Sequence, residues 1–336
     1  MTDYDQQTRI VIPAEPDVLA PGADILAAWA PNRGIACIRD DYLLTDFAIA
    51  SGSSMASPHV VGVTALLNKV HKDWSPATIR SAIMTTTYVI DNANGPIIDA
   101  TTNCWTPLDF GAGYINPEKA MDPGLVYDIE VQDYINYLCG MNYTNKQIKV
   151  ITKRSKFSCD QASLDLNYPC FIVLLNKTNT KSYTFNRVLT NVVDSPSIYR
   201  AVVKAPSGMK VVVQPPEVSF AKKYSKAEFK IMVEVTIRDS SSQSDFIVNY
   251  GYLSWNDVNG THMVRSPIVA AHAPYLQHYT EVLQETSNQF SDRVSSACWQ
   301  AFQTATGELQ SLLLLLNLSH PVGLFSLENV PRGNIF

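Results

Sequence analysis

The sequence predicts two folds in succession, an α/β region over residues 1–160 and an all-β sandwich over residues 161–273. The α/β prediction rests on short apolar strands that alternate with helical patterns. The sandwich prediction rests on about seven short strand-like segments, separated by turn residues and packed into some 105 residues. Residues 274–336 show only loose helical spacing, so they stay unassigned and are at most partly helical.

Composition excludes several classes of protein. The chain has 336 residues, of which 46% are hydrophobic and 17% charged, as expected for packed domains. Its net charge is −5 and it has no basic stripe interleaved with aromatic residues, so we expect no nucleic-acid partner. No apolar run approaches the roughly 18 residues that a membrane span requires, so we expect none. The first residues also lack the basic and apolar regions of a signal peptide.

In the α/β region, strands are predicted at Ile25–Trp29 and Leu43–Ile49. Pro58–Val70 is apolar almost all the way round, which predicts a fully buried helix. A second helix should begin after Ser75, a good N-cap, with Pro76 in its first turn.

The rest of the chain is predicted in the same way. Asn92–Tyr127 is rich in Gly, Pro, Asn and Asp and is predicted as loop and turn. Val131–Val150 returns to helical patterns. The predicted strands of the sandwich are Phe171–Leu175, Tyr183–Val192, Tyr199–Lys204, Met209–Val213, Phe229–Ile237, Gly251–Trp255 and His262–Ala270.

The cysteines leave two interpretations open. None of the six belongs to a C-x-x-C pair, so we expect neither a zinc site nor a thioredoxin-like site. Cys139 and Cys159 flank one polar, helix-like segment. A bridge between them would stabilise the fold by about 3 kcal/mol, and independent thiols are the alternative. The chain also carries four Asn-x-Ser/Thr acceptor sequences, each a weak signal on its own, at Asn142, Asn176, Asn259 and Asn317.

The segment ASGSSMASPHVVGV, Ala50 to Val63, contains the candidate catalytic serine. Ser54 follows a glycine and stands at the predicted start of the apolar helix, where backbone N–H groups could stabilise an oxyanion. A serine nucleophile needs a base, which in turn needs an orienting carboxylate. His59, five residues on, would point about 140° away from Ser54 on a helix and is predicted to be a packed histidine. Local features alone therefore favour a tightly packed helix start.

A resemblance changes this interpretation. G-S-S-M-A-S-P-H, Gly52 to His59, resembles the active-site motif G-T-S-M-A-x-P-H of subtilisin-like serine proteases. Further stretches resemble plant subtilases in the same order, over about residues 16–271. They are PDVLAPGADILAAW, HKDWSPATIRSAIMTT, DFGAGYINPEKAMDPGLVYD, YLCGMNYTNKQI, LDLNYPCF and LSWNDVNGTHMVRSPIVA.

The resemblance implies a fold and a chemistry. It makes residues 1–160 the end of a subtilisin-like parallel-sheet peptidase domain and Leu166–Ala271 a fibronectin-III-like domain. It gives Ser54 the role of nucleophile and its N–H a place in the oxyanion hole. It also implies a bridge between Cys139 and Cys159. The expected substrate is a protein or peptide in the extracellular space (cell wall or apoplast), with no cofactor and no metal.

The chain also departs from the family pattern. Ser53 replaces the usual threonine, Tyr114 stands where histidine is common, and Cys170 stands where serine is usual. The family's catalytic Asp and His and its oxyanion Asn lie in segments that precede Met1, and we expect no substitute triad here. Two hypotheses follow. The chain belongs to a serine endopeptidase, or it is an inactive, truncated copy that acts at most as a β-sandwich interaction module.

Overall fold

The computed structural model describes residues 16–38, 41–97, 106–175, 181–235 and 249–272. The unassigned segment 274–336 and the sequons at Asn176 and Asn317 lie outside these residues. The described chain is mixed α/β at first and β-rich afterwards, as predicted. The first elements are β1 (Ile25–Ala28), β2 (Ala36–Ile38), β3 (Asp41–Leu43), β4 (Phe47–Ala50), α1 (Ser53–Val70) and α2 (Pro76–Thr85).

These first strands form two antiparallel pairs, with the β2–β3 pair inserted between β1 and β4 in the sequence. β1 pairs antiparallel with β4, and β2 pairs antiparallel with β3. Parallel pairing in this region appears among the described residues as one bridge between Leu19 and Tyr114. The segment before β1 is thereby tied to the loops that follow α2.

Helix α1 corrects one prediction. It was expected to be fully buried, but Leu67 is its one buried residue. Val60 and Val63 pack with Leu67 against α2 and the chain near Ile115. The other side of α1 is exposed because no described element packs against it. An apolar pattern on all sides shows that every face of a helix could be buried. Whether a face is buried depends on the elements that pack against it.

Helix α2 begins as predicted. The Ser75 side chain accepts a hydrogen bond from the N–H of Thr78 at 3.0 Å, which satisfies one of the unpaired donors of the first turn. Pro76 occupies the first turn. The segment 92–127, predicted as loop and turn, also contains α3 (Pro107–Phe110), α4 (Pro117–Met121) and the two-residue strand β5 (Leu125–Val126).

Two further helices precede the sandwich. They are α5 (Val131–Gly140) and α6 (Asn145–Thr152), which divide the predicted helical segment at a turn. Cys139 at the end of α5 is joined to Cys159 by a disulfide bond, with 5.7 Å between the Cα atoms. The bridge closes a loop over α6 and packs with Ile135, Leu138 and Ile148.

The remaining strands form two mostly antiparallel sheets that pack face to face. These strands are β6 (Phe171–Leu175), β7 (Lys181–Asn191), β8 (Ser197–Lys204), β9 (Met209–Gln214), β10 (Glu217–Phe220), β11 (Lys226–Val235), β12 (Asn249–Asp257) and β13 (Met263–His272). One sheet has the order β10-β8-β12-β13-β6, and the other has β5-β7-β11-β9. Alternate side chains of both sheets fill one core, in which Trp255, Phe229 and Phe171 are almost fully buried.

Strand β5 joins the two regions. Leu125 and Val126 pair with Asn191 and Thr190 of β7, so a strand from upstream of residue 161 completes a sandwich sheet. Leu125 is fully buried in the sandwich core. Gly124 has φ +81°, and a Cβ at this position would lie 2.5 Å from the Tyr199 hydroxyl. The approach of β5 to the sandwich therefore requires glycine there.

Arg187 of β7 is a charged residue at the edge of this core. Its side chain is buried between the rings of Phe171 and Phe185. It forms an ion pair with Asp165 and donates a hydrogen bond from Nε to the Tyr168 carbonyl at 3.0 Å. The guanidinium thus fixes the chain that enters the sandwich against β7.

Candidate active site

The candidate site is built where two turns cross. Gly52 donates its N–H to the Gly22 carbonyl at 2.7 Å. A Cβ on Gly22 would lie 3.0 Å from both the Gly52 oxygen and the Ala56 Cβ, so a side chain at this crossing would be crowded. The chain then turns at Gly52, with φ +148°, directly into α1. Both glycines are needed because a side chain would crowd one and strain the other.

Ser51 stabilises this crossing through two hydrogen bonds. Its hydroxyl accepts the N–H of Asp24 at 2.8 Å and donates to the Asp24 carboxylate at 3.2 Å. Asp24 has φ +52°, a left-handed conformation that aspartate tolerates better than most residues. Ser51 therefore holds the turn and is not available as a nucleophile.

Ser54 is the second residue of α1 and is exposed. Met55 and Ala56 donate their N–H groups to the Gly52 carbonyl, at 3.0 and 3.2 Å. The helix start has no side-chain cap. A first-turn position places a hydroxyl beside backbone N–H groups that carry the positive end of the helix dipole. This geometry suits attack on a carbonyl followed by stabilisation of the oxyanion.

The described histidines do not serve Ser54. His59 is exposed, and its Nδ1 lies 2.8 Å from the Met55 carbonyl, which corrects its prediction as a packed residue. His71 is the C-cap of α1, stacks on Trp74 and places Nε2 2.9 Å from the Met121 carbonyl. His262 lies in the sandwich, 2.9 Å from Asp122. The rings of His59, His71 and His262 are thus each in contact with groups other than Ser54.

A buried polar network anchors the segment that leads into Gly22. The Tyr168 hydroxyl, at the entrance to the sandwich, donates a hydrogen bond to the Asp17 carboxylate. Arg80 of α2 lies over the Tyr168 ring and donates to the Tyr134 hydroxyl at 3.2 Å. Burial raises the pKa of the Asp17 carboxyl above its ordinary value, although Arg80 and the Tyr168 hydrogen bond act in the opposite direction.

The raised pKa of Asp17 predicts a pH dependence of stability. A carboxyl with a higher pKa in the folded chain binds its proton more readily there than in the unfolded chain. The free energy of unfolding should therefore fall as pH rises from the ordinary aspartate pKa of about 3.9 through the raised value. Asp17→Asn keeps the group neutral and should flatten this part of the profile in urea unfolding. The exposed Asp46→Asn is the control, and equal profiles for Asp17→Asn and wild type would contradict the prediction.

The other predicted site residues lie at the surface or in the Cys139–Cys159 disulfide bond. Asn142 is exposed in the turn between α5 and α6, with φ +61°. Asn259 is exposed in the turn between β12 and β13. Among the described residues, no group of three or more His, Cys, Asp or Glu side chains could hold a metal ion. Within the same residues, every helix is too short or too polar to cross a membrane.

Comparisons with known proteins agree with this architecture. The sequence model of the subtilase family matches residues 5–114, and that of the fibronectin type-III domain matches residues 165–270. The chain thus consists of a subtilase segment followed by a fibronectin type-III domain. The chain belongs to the subtilase family, and its sequence is similar to the corresponding part of plant subtilisin-like proteases.

Individual relatives make the likeness specific. The chain is 42% identical to subtilisin-like protease SBT3 of Solanum lycopersicum over 77% of this chain and 34% of that protein. It is 44% identical to subtilisin-like protease SBT1.5 of Arabidopsis thaliana over 76% of this chain and 33% of that protein. SBT1.6 of the same plant is 42% identical, with 76% and 34% covered. The chain spans about a third of the length of these relatives.

Proposed function

We propose that this chain is part of a subtilisin-like serine endopeptidase in which Ser54 is the nucleophile. The observation that carries the proposal is the exposure of Ser54 in the first turn of α1, directly after the Gly22–Gly52 crossing. The motif Gly52–His59 lies within the segment that the subtilase family model matches. The neighbouring serines differ, since Ser51 is engaged with Asp24 and Ser53 stands at the family's threonine position.

The reaction would be hydrolysis of a peptide bond. The Ser54 Oγ attacks the scissile carbonyl as a base removes its proton, and the oxyanion that forms is stabilised by N–H groups at the start of α1. Collapse of this intermediate expels the amine and leaves an acyl-enzyme, which water hydrolyses. The base and its orienting carboxylate must come from residues other than His59, His71 and His262, whose rings contact other groups.

The proposed substrates are proteins or peptides outside the cell, in the wall or apoplast. The Cys139–Cys159 bridge supports this location, because such bonds persist in oxidising compartments. The exposed acceptor asparagines Asn142 and Asn259 are the proposed glycosylation sites, together with Asn176 outside the described residues. The turns that contain Asn142 and Asn259 keep these two side chains accessible.

A second candidate function is a non-catalytic role for the β-sandwich as an interaction module. It is favoured by one observation, that the rings of His59, His71 and His262 all contact groups other than Ser54. Loss of the base removes most of the rate of a serine protease and leaves only what binding and the oxyanion hole provide. The sandwich, in contrast, has an extensive buried core, which Leu125 and Tyr127 from upstream complete.

A fluorophosphonate probe with added imidazole tests the role of Ser54. Since imidazole can stand in for a missing base, we expect slow labelling of the chain that imidazole accelerates, with the label on Ser54. Ser54→Ala should abolish the label, and Ser57→Ala, three residues along the same helix, should keep it. Mass spectrometry of the labelled peptide locates the site.

The outcomes separate the two functions. Rapid labelling without imidazole would show a complete active centre and contradict the non-catalytic role. A Ser54 that stays unlabelled at every imidazole concentration, in a folded chain, would contradict its assignment as nucleophile. The module would then be the function that remains.

A further inference from the structure

A polar cleft lies between helix α4 and the loops of the sandwich. The end of the subtilase segment contributes Glu118, Lys119 and Asp122 to one wall. The opposite wall consists of the loop between β7 and β8 and the turn between β12 and β13. The cleft has a volume of about 490 Å³, which is within the range of sites that hold small ligands.

Hydrogen bonds and one ionic contact fix the shape of this cleft. The Nε2 of His262, on the sandwich side, lies 2.9 Å from the Asp122 carboxylate on the α4 side, so the two walls are joined at this point. Asp257 holds the turn between β12 and β13. Its carboxylate accepts the N–H of Asn259 at 3.2 Å, and its carbonyl accepts the N–H of Gly260 at 2.9 Å. The cleft therefore has its shape before any ligand enters.

Asn259 is itself one of the residues that line the cleft, and it is exposed. It is the first residue of the acceptor sequence Asn259-Gly260-Thr261. A glycan attached to this asparagine would start at the cleft, because its first sugar ring is bonded to the side-chain amide nitrogen. The position of Asn259 thus indicates which ligand the cleft would meet first.

We propose that the cleft binds the first sugar rings of a glycan carried by Asn259. The first ring of such a glycan is N-acetylglucosamine, whose hydroxyl and acetamido groups both donate and accept hydrogen bonds. The exposed side chains of Glu118, Lys119 and Ser195 offer acceptors and donors of matching kinds. The exposed Pro196 offers an apolar surface to the C–H groups of a sugar ring.

The covalent attachment removes the need for a high affinity. A tethered ligand is present at an effective concentration in the millimolar range, so a weak site is occupied. The bound sugar would contact both walls and would link α4 to the sandwich. This inference rests on the glycosylation proposed for Asn259 and does not depend on the chemistry proposed for Ser54.

The rate at which an N-glycanase releases the glycan from the folded, full chain tests the proposal. The enzyme cleaves the bond between asparagine and the first sugar, so a bound sugar is protected from it. Lys119→Ala removes a donor from the α4 wall, and Ser195→Trp fills the cleft with a large ring. Each should speed release from Asn259 at least about threefold, because the protected population falls. Lys149→Ala is the matched control, since Lys149 also lies exposed in the last turn of a short helix, α6.

Peptide mapping of the protein secreted by a eukaryotic host separates the possible outcomes. An Asn259 that carries no sugar would overturn the proposed glycosylation and this site with it. A glycosylated Asn259 with equal release rates in wild type, Lys119→Ala and Ser195→Trp would overturn the binding and leave the glycosylation in place. Release from Asn142 in the same digests should be unchanged by Lys119→Ala and Ser195→Trp. Thermal midpoints equal to that of wild type would confirm that the variants fold.

Discussion

Replacement of the buried Arg187 with methionine is expected to lower the free energy of unfolding by about 3 kcal/mol or more. Methionine keeps an extended side chain between Phe171 and Phe185 but removes the charge. Asp165 is then left with its carboxylate largely out of water and without its ion-pair partner, and the Tyr168 carbonyl loses its donor. A buried group without a partner keeps its full desolvation cost, which explains the size of the effect.

Urea unfolding of the full chain, followed by tryptophan fluorescence, measures this loss. Arg200→Met is the matched control, because Arg200 also lies on a sandwich strand and pairs with Glu217 at 2.7 Å, but in an exposed position. Water already solvates that pair, so its loss should cost less than about 1 kcal/mol. Similar losses for Arg187→Met and Arg200→Met would contradict a special role for the buried cation.

The second large effect is expected at Leu125, outside the segment matched as a fibronectin type-III domain. Leu125→Ala should destabilise the chain by about 3 kcal/mol, since it leaves a cavity in the fully buried sandwich core. The loss should appear in the unfolding of the sandwich, because β5 is hydrogen-bonded to β7.

Leu44→Ala provides the comparison, with the same atoms removed from a leucine that is 58% exposed. We expect a change within about 0.5 kcal/mol there. Native-state hydrogen exchange on β7 and β11 reports where the destabilisation acts. If Leu125→Ala left the exchange of both strands unchanged, β5 would be an accessory to the sandwich and not part of it.

The elements with strong local signals were predictable from sequence. The Ser75-Pro76 pair identified the start of α2, and seven turn-bounded, strand-like segments identified seven sandwich strands within a few residues. Strand β10 was missed because its four residues follow Pro215 and Pro216, which are signals of a turn. Strand β5 was missed because two residues carry no periodicity, and the partner that makes them a strand lies some 65 positions away.

The candidate site was predictable in part. The motif around Ser54 indicated it as the candidate nucleophile, which stays a prediction, and the small residues before it indicated a tight turn. The hydrogen bonds between Ser51 and Asp24 could not be predicted, since they join positions 27 residues apart with no pattern to connect them. The exposure of α1 could not be predicted either. The apolar pattern of a helix does not indicate which other elements pack against it.

The pairing of β5 with β7 has a practical consequence for protein engineering. A gene fusion that carried only residues 161–273 to another host protein would omit Leu125 and Tyr127, two buried core side chains. The transplanted piece would expose the part of β7 that β5 normally pairs with. Unpaired strand edges of this kind promote aggregation. A portable version should begin upstream of Gly124, which also carries along α5, α6 and the Cys139–Cys159 bridge.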